Sequence, residues 1–300
     1  MHPREAPRAY VDHPVTDLAA AARAARIASE HWGLAPPELL RAGMNAIHAA
    51  GSVVLRVSAP SVDAAATLDL HRFLADQGVR VPVAARPDVV EVDGLSVTCW
   101  ERLAASSTPT DWRGVGTMVR AVHRLDPASL PPSVPLPRPA RFPWWDFDEL
   151  LARTADVLDP AARSGLEAAV ERHRGWQDAP GEVVCHGDVH PGNVMMTDTG
   201  PVLLDWDLLC WANPGWDHGP MLTWATRWGG DPDAYAAFAD GYGCSFAGDP
   251  VTEAFAELRL VAATLMRVAA GRHDPTAFAE AQRRLAHWRG DPDAPQWSAQ

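Results

Sequence analysis

The sequence predicts an α+β protein of two lobes, a small β-rich N-terminal lobe over residues 1–101 and a larger helical lobe over residues 102–300. Three observations carry this reading. Val53-Val54-Leu55-Arg56-Val57 has the β-branched density of a strand. Asp93-Gly94 lies between the runs Val89 to Asp93 and Leu95 to Leu103, the strongest hairpin signal in the chain. Beyond Leu103 the apolar residues take up a helical period and keep it almost to the C-terminus. With 300 residues, 47% of them hydrophobic and 21% charged, the chain has enough apolar material for a core in each lobe.

The elements follow in order. Thr16 is expected to cap a helix from Leu18 to about His31, with Gly33 ending it. Leu39-Leu40-Arg41 reads as a short strand and Ala42 to Gly51 as a loop, followed by the strand over Val53 to Val57. Ser61 to Gln77 is helical, with Leu68, Phe73 and Leu74 on one face and Gly78 as the stop. After the hairpin comes a helix from Trp112 to Leu125. Six prolines between Pro131 and Pro143 then make a loop that connects helices or lies over a cleft. Leu150 to Trp176 reads as helix and Val183 to Asp207 as short β segments. Three amphipathic helices close the chain, over about Pro232 to Tyr242, Thr252 to Ala270 and Thr276 to Arg289.

Composition excludes several functions. No stretch is apolar for the roughly 18 residues a membrane span needs, and Met1 to Asp12 has no apolar leader segment, so neither secretion nor a membrane partner is expected. Cys99, Cys185, Cys210 and Cys244 are widely separated with no C-x-x-C pair, which fits a reducing cytoplasm better than a disulfide framework or a zinc knuckle. A formal net charge of -12 argues against nucleic acid as a partner and leaves room for a cationic or neutral small molecule. All 26 basic residues are arginine, so any cationic contact to phosphate must come from arginine. A monomer or homodimer is expected.

The chemistry is concentrated in Val183-Val-Cys-His186-Gly187-Asp188-Val-His190-Pro191-Gly192-Asn193 and in Leu203-Leu204-Asp205-Trp206-Asp207. Phosphoryl transfer needs a carboxylate to orient the attacking hydroxyl and oxygen ligands to hold magnesium at the phosphates. Asp188, Asn193 and Asp205 can supply them. Asp188 and Asn193 are five residues apart, the D-x-x-x-x-N step of kinase catalytic loops, and Asp205 follows Asn193 by twelve. Asp198-Thr199-Gly200 makes a turn between them, so a hairpin can return Asp205 towards Asn193.

These residues resemble the aminoglycoside phosphotransferase family, or phosphotransferase enzyme family, of kinase-like small-molecule kinases. Its H-G-D-x-x-x-x-N and I/L-D-W/F motifs are matched by His186, Gly187, Asp188, Asn193, Leu204, Asp205 and Trp206. The resemblance implies a protein-kinase-like bilobal fold, Asp188 as catalytic base, Asn193 and Asp205 as Mg²⁺ ligands, and ATP or GTP as donor to a hydroxyl of a small molecule. The acceptor expected is an aminoglycoside-like or other antibiotic or natural product carrying an amine or sugar, since the acidic balance of the chain and Asp207 and Asp217 among the tryptophans from Trp206 to Trp228 suit an ammonium-bearing molecule. The alternative is a housekeeping kinase for a sugar, choline-like alcohol or amino alcohol. In the N-terminal lobe the match departs from the kinase pattern. Arg56 stands where a lysine usually binds the α- and β-phosphates, and the next helix offers Thr67, Asp63 or Asp69 where a glutamate is usual. Arginine can bind phosphate oxygens bidentately, so the change is chemically workable. Asn45, in the loop that can cover the nucleotide, and Glu101, whose backbone would meet the purine, complete the expected nucleotide-binding set.

Other roles stay open at this level. His186 and His190 beside Asp188 have metal-ligand chemistry, but H-x-D-x-H is no standard zinc spacing and leaves Asn193 and Asp205 unexplained. His186 reads better as a loop-organising histidine. Asp207 can touch metal or acceptor or cap a turn, and Asp217 reads as structural. Trp206, Trp211, Trp216, Trp224 and Trp228 can pack, while one or two of them line the acceptor cleft. The altered Arg56 and Thr67 positions also admit a nucleotide-binding pseudokinase.

Overall fold

Over the first five residues of the strand Val53–Pro60, from Val53 to Val57, buried residues alternate with half-exposed ones, the pattern of a strand with different surroundings on its two faces. The computed structural model of the protein describes residues 11–61 and 63–298; the N-terminal segment on which the leader expectation rests lies outside them as far as residue 10. In chain order the first elements are β1 (Asp12–His13), α1 (Leu18–His31), β2 (Glu38–Ala42), β3 (Ala46–Ala50), β4 (Val53–Pro60), α2 (Ala65–Asp76), β5 (Val90–Val92) and β6 (Leu95–Glu101). The antiparallel order is β2-β3-β4-β6-β5, with β1 on the far end of β4. Leu55 and Val57 share one buried core with Ala21, Ala24, Ala25 and Ala28 of α1, while Arg56 belongs to the opposite face of the strand. The β5–β6 turn has positive φ at both Asp93 (50°) and Gly94 (81°), as a two-residue hairpin of this hand requires.

Several local expectations are corrected. The α1 cap is Asp17, whose Oδ1 accepts from Ala20 N at 2.9 Å, and not Thr16. Ala46–Ala50 is a strand and not part of a loop. Its alanines carry little β preference, and it is fixed by pairing along both edges, with Ala46 opposite Val57 and Ala50 opposite Val53 on one side and β2 on the other.

The chain continues through α3 (Trp112–His123), α4 (Phe147–Thr154), α5 (Pro160–Arg172), β7 (Val183–Cys185), β8 (Val194–Thr197), β9 (Gly200–Leu203), β10 (Cys210–Ala212), α6 (Gly215–Leu222), α7 (Trp224–Trp228), α8 (Ala234–Tyr242), α9 (Pro250–Ala270) and α10 (Pro275–Trp288). The helix expected over Leu150 to Trp176 is two helices, because Asp159 caps a new one at Ala162 N (2.9 Å) with Pro160 in its first turn. Two compact units result. One holds the described residues through Asp111 with Leu125–Pro137 and Val194–Leu209; the other holds Trp112–Arg124, Arg138–Asn193 and the chain from Cys210 onward. The first unit includes the β8–β9 hairpin, with Val194 opposite Leu203. The second is mainly helical, with α9 packed on α4, α5, α6 and α10. In it α3 and α8 meet backbone to backbone. A Cβ on Gly116 would run into the Phe238 carbonyl, and one on Gly241 into the Arg113 carbonyl. Among the described residues no helix is long and apolar enough to cross a membrane.

His218 of α6 is fully buried against Phe238, Tyr242 and Phe246, with no hydrogen-bond partner for its Nε2. Burial lowers its imidazole from the ordinary 6.5 to about 4. A histidine buried neutral contributes its full stability above the unfolded value near 6.5 and loses it as pH falls towards 4. The loss is on the order of 3 kcal/mol. Urea denaturation at pH 7.5 and pH 4.5 is therefore expected to show an acid weakening that His218→Phe reduces; an equal pH dependence in the two proteins would contradict this account.

Candidate active site

β7 delivers the chain to His186, and the loop that follows is shaped by a buried carboxylate. Asp217, in the first turn of α6, accepts the backbone N–H of His186 on Oδ2 and that of Gly187 on Oδ1, both at 2.8 Å. His123 at the end of α3 approaches the same Oδ2 at 3.0 Å, and Tyr242 stands 2.9 Å from His123 Nδ1. Burial alone would raise the Asp217 carboxyl, but His123, the charge of His186 and the Gly187 N–H lower it below the ordinary value. Gly187 turns through φ 90°, a conformation that favours glycine. His186 Nδ1 accepts the Asp188 N–H at 3.2 Å, and His190 Nδ1 accepts that of Gly192 at 3.0 Å. Each histidine thus has one ring nitrogen engaged by the loop backbone, an organising role that the zinc reading does not provide.

Asp188 is held at both oxygens. Asn193 Nδ2 donates to Asp188 Oδ2 and to its backbone carbonyl, each at 3.0 Å, with His190 Nε2 3.4 Å from the same Oδ2. Arg259 of α9 pairs through Nη2 with Asp188 Oδ1 and through Nη1 with the Gly187 carbonyl at 3.0 Å. The guanidinium carbon of Arg259 lies 4.6 Å from the Trp145 ring centre and 5.7 Å from that of Trp216. Burial would raise the Asp188 carboxyl, but Arg259 outweighs it, helped by His190 and His186, and keeps it well below the usual carboxylate range. The side chain of Asp188 remains 27% exposed, open enough for a hydroxyl to reach it.

Sequence reasoning missed Arg259. It follows Asp188 by 71 residues, inside a helix that reads as ordinary apolar packing. The one available signal was an arginine at a buried helical position, which requires an anionic partner.

Arg56, Asn45, Glu101, Asp205, Trp206 and Asp207 belong to the first unit. Asp205 has φ 58°, and among the described residues only it and Asp93 are non-glycines with positive φ. Asp93 is explained by its hairpin, whereas Asp205 is held in this conformation beside Trp206, which is buried and donates Nε1–H to the Leu203 carbonyl at 3.2 Å. Asp207 receives the Arg56 guanidinium on both oxygens, Nη1 to Oδ1 at 3.1 Å and Nη2 to Oδ2. Asn45 is half-buried in the β2–β3 turn, with Oδ1 lacking a hydrogen-bond partner. Glu101 is still within β6, and its N–H donates to the Val83 carbonyl at 2.8 Å.

The residues present suit a hard divalent cation. With Asn193 Nδ2 taken by Asp188, Oδ1 is the oxygen that Asn193 has left to offer a cation; Asp205, in the other unit, carries a carboxylate of the same hard-donor kind. Oxygen donors of this kind match Mg²⁺.

The tryptophans divide by burial. Trp206 is 2% exposed and Trp216 1%, and Asp217 is fully buried, so none of the three offers surface to a ligand. Trp216 stacks on Trp176 at 5.3 Å and meets Trp145 edge-on at 5.0 Å, building the platform for Arg259. Trp228 faces Arg284 at 4.7 Å and Trp297 at 5.2 Å, a packing contact with the C-terminal segment. Trp211 is half-buried in a cleft with Arg138, Trp176, Glu182 and Asn213.

Fold and catalytic loop together define a phosphotransferase of kinase-like α+β architecture. Residues 45–260 match the model of APH, the phosphotransferase enzyme family, and the chain belongs to that family. Solved structures share the fold. Amicoumacin kinase hAmiN, in complex with AMP-PNP, Ca²⁺ and Ami, superposes with a TM-score of 0.65 at 14% identity, over 94% of this chain and 98% of that one. Spectinomycin phosphotransferase APH(9)-Ia, in complex with ADP and spectinomycin, gives 0.64 at 14% identity over 87% and 94%. A choline/ethanolamine kinase family protein from Mesorhizobium loti gives 0.64 at 20% identity over 92% and 94%. No curated protein sequence matches the chain significantly.

Proposed function

We propose that this phosphotransferase moves the γ-phosphate of ATP or GTP onto a hydroxyl of a small natural product of the antibiotic class, in the cytoplasm, where its four free thiols are at home. The observation that carries the reaction is Asp188, ionised, held at both oxygens and still open to a hydroxyl. Asp188 accepts the hydrogen bond of the acceptor hydroxyl and aims its oxygen at the γ-phosphorus. A bond forms between that oxygen and phosphorus as the bond from phosphorus to the β,γ-bridging oxygen breaks. The hydroxyl proton passes to the Asp188 carboxylate late, as suits a weak base in a transition state with little bond formation. Arg56 binds the donor's phosphate oxygens. Asn193 Oδ1 and the Asp205 carboxylate would hold Mg²⁺, which when bound neutralises charge on the phosphates.

The antibiotic class is supported by what the fold neighbours are described as binding, spectinomycin and Ami. It is not supported by acidic groups among the tryptophans. Asp207 is paired with Arg56 and Asp217 is buried, so neither carboxylate is placed to attract an ammonium-bearing acceptor, contrary to that part of the sequence reading. The test is to incubate the protein with Mg²⁺ and ATP or GTP against aminoglycosides, nucleoside antibiotics, macrolides, sugars, choline and homoserine, following nucleotide release and product mass. A phosphorylated antibiotic supports the proposal; efficient turnover of a simple metabolite with antibiotics untouched replaces it by a housekeeping kinase. Asp205→Ala is expected to abolish the Mg²⁺-dependent part of nucleotide binding in calorimetric titration, and a variant that keeps it would remove Asp205 from the metal set.

A further inference from the structure

A phosphate-binding arginine is useful only if its fork is already in place when the nucleotide arrives, because an unrestrained arginine loses side-chain entropy on binding. In kinase-like enzymes the cation on this strand is paired to an acid on the following helix. That helix, α2, offers no such acid here. Thr67 is buried at the expected position. The Asp69 carboxylate takes Arg72 at 3.1 Å and the Ser133 hydroxyl at 2.7 Å, and Asp63 Oδ1 accepts from Ala65 N at 2.9 Å. Arg56 instead delivers two guanidinium nitrogens to the two oxygens of Asp207, the fork-to-fork geometry that restrains both partners. The side chains are 15% and 14% exposed, so the pair is shielded and far less screened than a surface bridge. Asp207 follows Asp205 by two residues, with buried Trp206 anchored between them.

We propose that Asp207 is the positioning residue for Arg56. Its carboxylate presets the guanidinium for the donor's phosphates in place of the missing helix acid, and ties that cation to the segment bearing Asp205. The inference rests on the reading of Arg56 as the phosphate contact. The ion pair predicts that Asp207 matters to phosphate only through Arg56.

The experiment titrates the full-length protein with ADP and with adenosine by calorimetry, with Mg²⁺ and again in EDTA. It compares wild type, Arg56→Met, Asp207→Asn, Asp207→Glu and the Arg56→Met/Asp207→Asn double variant, with folding checked by circular dichroism. Arg56→Met and Asp207→Asn are each expected to weaken ADP binding by about tenfold or more while leaving adenosine unchanged. The double variant should be no weaker than Arg56→Met, the loss from Asp207→Asn should persist in EDTA, and Asp207→Glu should recover part of the affinity. Normal ADP affinity in Asp207→Asn where Arg56→Met has lost it overturns the inference alone. So does a loss from Asp207→Asn that is undiminished in the Arg56→Met background or that disappears in EDTA. Unchanged ADP affinity in Arg56→Met overturns the reading of Arg56 as phosphate contact, and the inference with it.

Discussion

Asp188→Asn is expected to bind Mg²⁺-nucleotide about as tightly as the wild type and to transfer phosphate more slowly by a factor on the order of a hundred or more. The substitution is close to isosteric, so the loop held by Asp217 keeps its shape. It removes the negative charge that orients the acceptor hydroxyl and receives its proton. It also presents Arg259 with a neutral amide in place of the carboxylate that Arg259 pairs with now. An effect confined to the transition state appears in kcat with little change in nucleotide affinity. The measurement is kcat and KM on an acceptor found in the panel, beside a calorimetric nucleotide titration. Near-normal kcat would sink the assignment of Asp188 as base, and lost nucleotide binding would move its role to the donor side.

Arg259→Ala is expected to lower stability by about 2–4 kcal/mol, somewhat below the range for breaking a fully buried pair because Asp188 keeps part of its surface in water. Three losses add up: the pairing to Asp188, the bond to the Gly187 carbonyl and the contact with Trp145 and Trp216. The midpoint of urea unfolding should fall accordingly. Transfer should slow by on the order of tenfold or more even where the variant is fully folded, since Asp188 loses the partner that fixes its Oδ1. Arg259→Lys keeps the charge but cannot contact the carboxylate and the Gly187 carbonyl through one planar fork, and should recover stability better than turnover. A wild-type unfolding midpoint in Arg259→Ala would show that the pair contributes nothing net.

What the sequence disclosed is what lies close together along it. The D-x-x-x-x-N loop, the hairpin before Asp205 and the Asp93-Gly94 turn are each set by neighbours a few residues apart, and each could be read directly. Partnerships across long separations were hidden. Arg259 reaches Asp188 over 71 residues, His123 reaches Asp217 over 94, and Arg56 reaches Asp207 over 151. In every such pair one member sits in an element whose local pattern says only strand or helix. Ala46–Ala50 was hidden for a related reason, since its strand conformation is imposed by β2 and β4 rather than by its own residues. Which of the tryptophans packs and which lines a cleft was not legible, because an indole gives the same sequence signal in a core as in a cleft.

The glycine contact between α3 and α8 has a mechanical consequence. Where side chains separate two helices, rotamer changes can absorb a small displacement; where backbones touch, as at Gly116 and Gly241, there is no such cushion. α8 carries Tyr242 and α3 carries His123, the two residues that lead by hydrogen bonds to Asp217 and from there to the amides of His186 and Gly187. A shift of α8 is therefore passed to α3 almost undiminished. The bare crossing acts as the bearing on which the alignment of the catalytic loop is set, at a point where no side chain is present to take up play.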